Sequence, residues 1–481
     1  MLDLRPILFV LGLLISTIGV SMLLPTMIGF IDGRDGLVYL GSSGFLLFIG
    51  ILMVLSARGT IESMGQRETF FVTVLAWSLI PLLVALPFYF TASVESYSDA
   101  YFEAMSGLTT TGSTVISHLS AQSHATLFWR SFLQWLGGIG IVVMALSVFP
   151  FLKVGGMQLF KIEFTGKGDK ATPRAIQLMA LIMLVYGLIT VSCFLLYWIC
   201  GMSPFNALNH AMTTVATGGF STHDQSIGYY DDALIELVAV FFMILGSVPF
   251  LLYVQALKGT GANFFKDTQV LGLIFLIFFS CIVMTFYLGI FHYDHWLVSL
   301  RYAVFNVTSI MTGTGYATAP YDMWGVFAIV MFLFVMFIGG CAGSTTCGIK
   351  IFRIQVLLAI ARTQIHHLLR PNAVLVTHYA GRPLPAGVGE SVMGFFFLFI
   401  VSFAISACML GLTGLDFITS VSGAATAIAN VGPGLGSVIG PNGNFSTLPE
   451  SAKWILALTM MIGRLEILTV LVIFSRKFWL T

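Results

Sequence analysis

The stretch Leu108-Thr109-Thr110-Thr111-Gly112-Ser113 recurs in altered form at three later places in this chain. The later versions are Thr214-Val215-Ala216-Thr217-Gly218-Gly219-Phe220, Met311-Thr312-Gly313-Thr314-Gly315-Tyr316 and Ile428-Ala429-Asn430-Val431-Gly432-Pro433-Gly434. Aligned on Gly112, Gly218, Gly315 and Gly432, the four stretches lie 106, 97 and 117 residues apart. A period of about 100 residues is typical of a chain built from structural repeats.

The same elements surround each stretch. A long apolar segment and a short, half-polar helix come before it, and a second long apolar segment that ends in basic residues comes after it. Two further apolar segments, residues 5–31 and 37–56, precede the first repeat. The half-helices are too short to cross a bilayer, and irregular backbone at that depth occurs only where it is buried in protein or lines a water-filled cavity.

The predicted fold is an all-α polytopic membrane protein. It has four parallel M1–pore-helix–M2 repeats around a pseudo-fourfold pore, preceded by two extra transmembrane helices. M1 and M2 are the first and second long apolar spans of a repeat, and the pore helix is the half-helix between them. The predicted boundaries are residues 1–60 for the two N-terminal helices and 61–165, 166–262, 263–375 and 376–481 for the four repeats. The third repeat is expected to contain an interrupted M2 helix and a gate loop.

The composition predicts that lipid surrounds most of the chain. Of its 481 residues, 57% are hydrophobic and 9% are charged, whereas soluble domains carry about 25% charged residues. The basic residues are unevenly distributed, because 17 of the 22 Lys and Arg residues fall in alternate segments between the apolar spans. The positive-inside rule therefore predicts that both termini and these segments are cytoplasmic. Every repeat then begins and ends on the same side, so the repeats are parallel.

The composition of the Gly/Thr-rich stretches is suited to binding a monovalent cation through backbone carbonyl oxygens. Rings of backbone carbonyls replace the water shell of such an ion, and glycine allows the backbone conformations that this arrangement needs. The predicted ion-binding residues of this selectivity filter are Thr110, Thr111, Gly112, Ala216, Thr217, Gly218, Gly313, Thr314, Gly315, Asn430, Val431 and Gly432. The alternative is that the glycines serve close helix packing, which explains one stretch better than four in register.

A polar, glycine-rich run, residues 339–348, interrupts the second long span of the third repeat. We expect the helix to break there, and an irregular segment beneath a filter obstructs a pore. The predicted gate residues in this interrupting loop are Gly343, Ser344, Thr345, Thr346, Cys347 and Gly348. A flexible kink without function is the alternative. The corresponding segments of the other repeats, residues 128–149, 234–256 and 457–474, lack such a run and are expected to be continuous.

Charged and amide side chains within the predicted spans are candidates for function. Arg464 and Glu466 lie within the last span, where charge is expensive in lipid. We expect Arg464 to face the pore below the filter as part of the gate and to hydrogen-bond the interrupting loop. A structural contact with Glu466 or with backbone carbonyls is the alternative. Glu103, Asn209 and Asn306, nine positions before their glycines, are interpreted as braces behind the filter.

Two further sets of polar residues have ordinary explanations. One set fits either supports of the pore helices or anchors at the membrane interface: Arg130, Gln134 and Trp135. The other set matches no known spacing of metal ligands: His210, His223 and Asp224. The sequence has no nucleotide-binding or hydrolase motif, and no enzyme activity, bound cofactor or nucleic-acid partner is expected.

Six blocks of sequence, which together span almost the whole chain, carry a family resemblance. They are SGLTTTGS (residues 106–113), WRSFLQWLGGIGI (129–141), NHAMTTVATGGFSTHD (209–224), FIGGCAGSTTCGIK (337–350), ANVGPGLG (429–436) and GRLEI (463–467). In this order and spacing they resemble the Trk/Ktr/HKT superfamily of potassium transporters, and specifically its bacterial TrkH branch. The two additional N-terminal spans also fit that branch.

The resemblance implies potassium (and rubidium) uptake across the cytoplasmic (inner) membrane of a bacterium. K+ is then the permeating ion at the filter residues, and the interrupting loop is the gate. The resemblance also implies a homodimer and a cytoplasmic, nucleotide-binding regulatory subunit of the TrkA type. A symporter coupled to protons or sodium is the alternative function. Parallel repeats and scarce mid-membrane carboxylates favour the pore, because coupled carriers often have inverted repeats and titratable binding sites.

Overall fold

The computed structural model describes residues 3–57, 64–147, 171–259 and 266–480. The predicted boundaries at residues 60, 165 and 262 fall outside these ranges, as do Arg58, Lys153, Lys161, Lys167 and Lys170 of the predicted cytoplasmic segments. The described chain is almost entirely helical, with one short hairpin of β1 (His378–Tyr379) and β2 (Arg382–Pro383). This hairpin joins the third and fourth repeats and has no counterpart in the predicted fold.

The two predicted N-terminal spans are present. The first consists of α1 (Leu4–Ser21) and α2 (Leu23–Ile31), and the second is α3 (Gly36–Ser56). Glycines let the two spans approach closely, because a Cβ on Gly12 would lie only 2.7 Å from the carbonyl oxygen of Gly50. Small residues at such crossings are typical of helix packing in membranes.

Four repeats of helix, half-helix and helix follow, which confirms the predicted architecture. In the first repeat these are α4 (Gln66–Val84) with α5 (Leu86–Phe90), then α6 (Tyr97–Leu108) and α7 (His124–Ser147). The second repeat has α8 (Ala171–Ile199), α9 (Pro204–Val215), α10 (Ala233–Ser247) and α11 (Phe250–Leu257). The third has α12 (Thr268–Phe291), α13 (Trp296–Met311), α14 (Val326–Phe337) and α15 (Ile351–Leu369). The fourth has α16 (Val388–Leu412), α17 (Phe417–Ala429), α18 (Glu450–Arg464), α19 (Leu468–Phe474) and α20 (Arg476–Leu480).

Capping side chains fix where three of the half-helices begin. Ser96 accepts a hydrogen bond from the backbone N–H of Asp99 at the start of α6. Ser203 accepts one from the backbone N–H of Asn206 at the start of α9. Asp416 caps α17 by accepting from Thr419. Such caps satisfy N–H groups that have no partner in the first turn, so these three half-helices each start at a defined residue.

The repeats are arranged in a closed ring. Each half-helix packs against the second long helix of the preceding repeat: α9 against α7, α13 against α10, and α17 against α14. The half-helix of the first repeat, α6, packs against α18 of the last. One polypeptide therefore closes on itself, as four separate subunits would.

Two M2 helices expected to be continuous are bent. The chain turns by 90° between α10 and α11, and by 109° between α18 and α19. Pro249 explains the first break, because proline has no N–H and clashes with the preceding helical turn. At the second break Glu466 has a left-handed φ of 54°. Among the described residues, seven helices are long and apolar enough to cross a membrane, or nine if each bent pair counts as one span.

Candidate ion pathway

The four Gly/Thr-rich stretches meet one another in cyclic order. In each stretch a glycine with positive φ lies so close to the next stretch that an added Cβ would overlap or crowd a carbonyl oxygen there. In order round the ring, these contacts join Gly112 to Gly218 O, Gly219 to Thr314 O, Gly315 to Val431 O, and Gly432 to Thr111 O. Four equivalent carbonyl oxygens therefore form one ring between four glycines.

The structure corrects the alignment of the second stretch by one residue. After each half-helix, an amide donates to the carbonyl five residues earlier: Thr111 to Ser106 (2.9 Å), Gly218 to Thr213 (2.8 Å), Thr314 to Ser309 (2.9 Å) and Val431 to Thr426 (3.1 Å). The residue before each amide has a left-handed φ: Thr110, Thr217, Gly313 and Asn430. The equivalent of Gly112 is therefore Gly219, and the second triplet is Thr217, Gly218 and Gly219. Ala216 instead is the C-cap residue that follows α9.

The corrected register also changes which residue braces the second stretch. Nine positions before Gly219 lies His210, whose Nε2 is 2.9 Å from the hydroxyl of Ser221. The predicted brace, Asn209, donates to Phe205 O on its own helix. In the third repeat Asn306 accepts from the N–H of Thr318, as predicted for a brace. In the fourth repeat, where Gly423 has no side chain, Ser422 accepts from the N–H of Leu435.

A buried ion pair holds the first stretch against the second. Glu103 accepts from Val115 N at 2.9 Å and from Arg130 Nε at 2.7 Å, and both charged side chains are almost fully buried. Arg130 also donates to Ser221 O at 3.0 Å, and its guanidinium lies over the ring of Phe220. The structure thus places Arg130 at the junction of two repeats, which resolves its two predicted roles in favour of a support.

Gln134 grips the second stretch directly. Its Nε2 donates to Gly218 O at 2.6 Å, and its Oε1 accepts from Phe220 N at 3.0 Å. The sequence signal for this role was an amide within an otherwise apolar span. Trp135, its neighbour, donates to Thr190 on α8 and so acts between helices behind the ring.

We predict that Glu103→Gln destabilises the protein strongly. The change leaves the buried Arg130 guanidinium without its carboxylate, and breaking a buried pair in this way costs about 3 kcal/mol or more. The control is Asp32→Asn, which removes the exposed pair with His124 and is expected to change stability by less than about 1 kcal/mol. Thermal unfolding of both variants in detergent tests this. Equal midpoints for the two variants would contradict the structural role of Glu103.

The interrupting loop lies beneath the second stretch. Thr345 is its central contact, because its hydroxyl donates to Gly246 O at 3.0 Å and approaches Val215 O at 3.2 Å. The hydroxyl of Thr217, within the second triplet, donates to that of Thr345 at 3.1 Å. The loop is therefore hydrogen-bonded to the base of the ring rather than merely close to it.

The same loop forms hydrogen bonds with the backbone at the break between α10 and α11. Cys341 N donates to Ser247 O at 3.0 Å, and Phe250 N donates to Gly343 O at 2.9 Å. A broken helix leaves backbone groups without partners, and here the loop supplies them. Ala342 N donates to Gln269 Oε1 on α12 at 2.9 Å, and Lys350, between the loop and α15, donates to Thr346 O. The bend in the second repeat and the loop of the third form one composite element.

Arg464 joins the loop to the first repeat. Its guanidinium donates to Thr345 O at 3.2 Å and Gly137 O at 2.7 Å, and it lies 2.7 Å from the sulfur of Cys347. The side chain is only 1% exposed. Glu466 does not pair with it, since its carboxylate contacts Arg353 Nη2 at 2.5 Å. The expected hydrogen bond between Arg464 and the interrupting loop is present, and so is the alternative contact with a backbone carbonyl elsewhere, Gly137 O, whereas the alternative contact with Glu466 is not.

Spaces of different size lie on the two sides of the ring. On one side is a cavity of about 70 Å3, lined by Gly112, Gly219 and Gly315 and by loop residues such as Asp224. On the other side a space of about 20 Å3 is lined by Ser344, Cys347, Lys350 and Arg464, among others. A water molecule needs about 10–15 Å3, so this smaller space has room for little more than one.

The histidines near the larger space have structural partners. His223 stacks on Tyr229 with ring centroids 3.7 Å apart and contacts Asn206. Burial lowers the pKa of His223, although the nearby Asp224 carboxylate opposes this shift. Asp224 accepts from Leu119 N at 3.2 Å. Across the described ranges, no three His, Cys, Asp or Glu side chains are grouped so that they could hold a metal ion.

Comparisons with known proteins agree with this architecture. The family described as TrkH, cation transport protein, matches residues 44–480. The chain is 40% identical to the Trk system potassium uptake protein TrkI of Halomonas elongata, over 98% of this chain and 96% of that protein. It is 37% identical to the Trk system potassium uptake protein TrkH of Vibrio parahaemolyticus, over 99% of both.

A solved structure shows the same fold. The crystal structure of the potassium transporter TrkH from Vibrio parahaemolyticus superimposes with a TM-score of 0.91 and 33% sequence identity, covering 99% of this chain and all of that chain. These matches confirm the resemblance seen in the six sequence blocks. The ring of four repeats, the half-helices and the full-length similarity lead to one conclusion: this chain belongs to the TrkH family of cation transport proteins, which are membrane transporters rather than enzymes.

Proposed function

We propose that this protein takes up potassium, and also rubidium, across the inner membrane of a bacterium. The observation that carries the proposal is the ring of carbonyl oxygens from Thr111, Gly218, Thr314 and Val431, each in contact with a glycine of the neighbouring repeat. Carbonyl rings of this kind replace the hydration shell of K+. The printed names of the relatives, which are potassium uptake proteins, support the same ion.

The filter in this proposal consists of the four triplets in the corrected register. Asn430 occupies in the fourth triplet the position of Thr110 in the first, and it donates to the hydroxyl of Thr111 at 2.8 Å and to Met460 O at 3.0 Å. This amide ties the fourth triplet to the first and to α18. Support for a filter rather than a packing motif comes from this bracing and from the cavity of about 70 Å3 that Gly112, Gly219 and Gly315 line.

The gate in this proposal is the interrupting loop together with Arg464. The loop obstructs the path below the ring, and the guanidinium adds a positive charge that repels a permeating cation. Opening requires the loop to leave Thr217 and Arg464, so the hydrogen bonds of Thr345 hold the closed state. The helix α15 begins directly after the loop, which lets a force on α15 reach the gate.

We assign control of the gate to a cytoplasmic nucleotide-binding subunit of the TrkA type. The cytoplasmic side would then carry both termini and the basic end of α15, where His366, His367 and Arg370 are exposed. This chain itself has no nucleotide-binding motif. Two copies of the chain form the membrane unit in this proposal, each with its own pore.

The test is flux into liposomes that contain the purified protein. Uptake of potassium, rubidium, sodium and lithium is measured in turn, with and without the cytosolic partner. We expect potassium and rubidium to enter faster than sodium and lithium, and the reversal potential to follow the potassium gradient alone. Equal entry of all four ions would refute the filter. A reversal potential that follows the proton or sodium gradient would instead establish coupled transport.

A further inference from the structure

An apolar crevice of about 540 Å3 opens on the side of the first repeat. Its walls come from four helices that cross the membrane: α1, α4, α7 and α8. The lining is almost wholly apolar, and Leu14 and Met183 at its edge are about half exposed. The crevice is therefore continuous with the surface that these helices present to lipid.

The inner end of the crevice reaches the base of the filter. Leu108, the last residue of α6, lines it together with Gly137 of α7. These two residues are in direct backbone contact, because a Cβ on Gly137 would overlap Leu108 O. The crevice lies between apolar helices that are long enough to cross the membrane, so its mouth is expected to face the hydrocarbon layer.

Two residues that line the crevice also contact Arg464. Gly137 O accepts a hydrogen bond from Arg464 Nη2 at 2.7 Å. Trp77 lies with its ring centroid 5.8 Å from the guanidinium carbon, within the range of a cation–π interaction. Whatever fills the crevice therefore touches two of the groups that position the gate arginine.

We propose that a phospholipid acyl chain occupies this crevice and supports the Trp77 ring and α7 against Arg464. Packed interiors do not leave apolar voids of this size empty, because the lining would lose its dispersion contacts. At its mouth the surrounding medium is hydrocarbon, and a flexible acyl chain fits a narrow apolar space that opens sideways. The binding site is independent of the proposed function, whereas its effect on Arg464 rests on the proposed gate.

The variant Gly140→Leu tests the site because its side chain would occupy part of the crevice. Gly140 lines the crevice, and a Cβ there would meet nothing within 4 Å. The matched control is Gly187→Leu on α8, where a Cβ also meets nothing within 4 Å but which does not line the crevice. Both variants and the wild type are reconstituted at full length in phosphatidylcholine with or without bromine atoms at mid-chain.

Quenching of Trp77 by the brominated chains is the readout, obtained as the difference from a Trp77→Phe variant. We expect Trp77 to be quenched in the wild type and in Gly187→Leu, and the quenching to be lost in Gly140→Leu. An unquenched Trp77 in the wild type, as when a second copy of the chain fills the crevice, would overturn the proposal. Equal quenching in Gly140→Leu and Gly187→Leu would do the same.

Rubidium flux through the same vesicles tests the effect on Arg464. We expect Gly140→Leu to change basal flux by about threefold or more relative to Gly187→Leu, the size of effect that one weakened hydrogen bond produces. Identical flux in a variant that has lost the quenching would refute the action on the gate. Because the fluorescence does not depend on transport, failure of the proposed function would leave the quenching result standing.

Discussion

Gly219→Ala is expected to abolish potassium uptake. Gly219 has a φ of 78°, which an L-residue adopts at a cost, and its added Cβ would overlap Thr314 O in the next repeat. The methyl group would push one carbonyl of the ring out of place. A barrier raised by roughly 3 kcal/mol slows passage by about 100-fold, so we expect rubidium uptake into vesicles to fall by at least that factor.

The neighbouring glycine provides the sharpest comparison. Gly218 does not have a positive φ, and the atoms nearest to an added Cβ belong to the amide of Gln134 rather than to backbone, so this side chain would shift and its hydrogen bonds to the stretch would weaken while the ring carbonyls are not struck directly. Gly218→Ala should therefore retain much more uptake than Gly219→Ala. Gly394→Ala on α16, where a Cβ meets nothing within 4 Å, is the control for folding and insertion. If Gly218→Ala were the more damaging change, the corrected register of the second stretch would be wrong.

Arg464→Met is expected to raise basal flux in the absence of any partner. The change removes a buried positive charge from beneath the ring of carbonyl oxygens and the bonds to Thr345 O and Gly137 O. A closed state weakened by about 1.4 kcal/mol, the net value of one or two hydrogen bonds, raises the leak about tenfold. Rubidium flux into vesicles measures this, with Arg370→Met, an exposed arginine at the end of α15, as the control.

Thr345→Val is the companion variant, because it keeps all charges in place. It removes the hydroxyl that bonds Gly246 O and Thr217, and flux should rise in the same direction as for Arg464→Met. The protein must elute and unfold as the wild type does for the comparison to count. Unchanged or reduced flux in both folded variants would show that the loop does not obstruct the path.

The fold was largely predictable because the repeats leave a strong signal. The apolar spans, half-helices and Gly/Thr-rich stretches recur with one period, and this period predicts a ring before any contact is known. The interrupting loop was visible for a similar reason, since a polar run such as Gly343-Ser344-Thr345-Thr346 stands out inside an apolar helix.

The register of the second stretch was not predictable from spacing. Gly218 and Gly219 are adjacent, and only the backbone shows which of them has the positive φ. The error then passed to the brace, because counting back nine positions reached Asn209 rather than His210. Asn209 and His210 are both polar, so the sequence does not distinguish them. The hydrogen bond between His210 and Ser221, which lies beyond the glycine, identifies His210 as the brace.

The sequence indicates one of the two bent M2 helices better than the other. Pro249 lies inside the second M2 segment and is a sufficient reason for a break, although that segment has no glycine-rich run. The bend after α18 lies at Glu466, which is neither a proline nor a glycine, so the sequence gives no local signal for it. Glu466 instead pairs with Arg353, which is 113 residues away in the sequence, and such a tertiary contact has no local signature.

The closed ring also determines how substitutions act on this protein. In a tetramer of identical subunits every substitution appears at four places at once, whereas a change here alters a single quadrant. Asn430 illustrates the freedom this gives, because it stands where the other triplets have threonine or glycine and makes contacts that they lack. Each repeat can thus acquire substitutions independently of the other three, so one side of the ring can change while the rest stays the same.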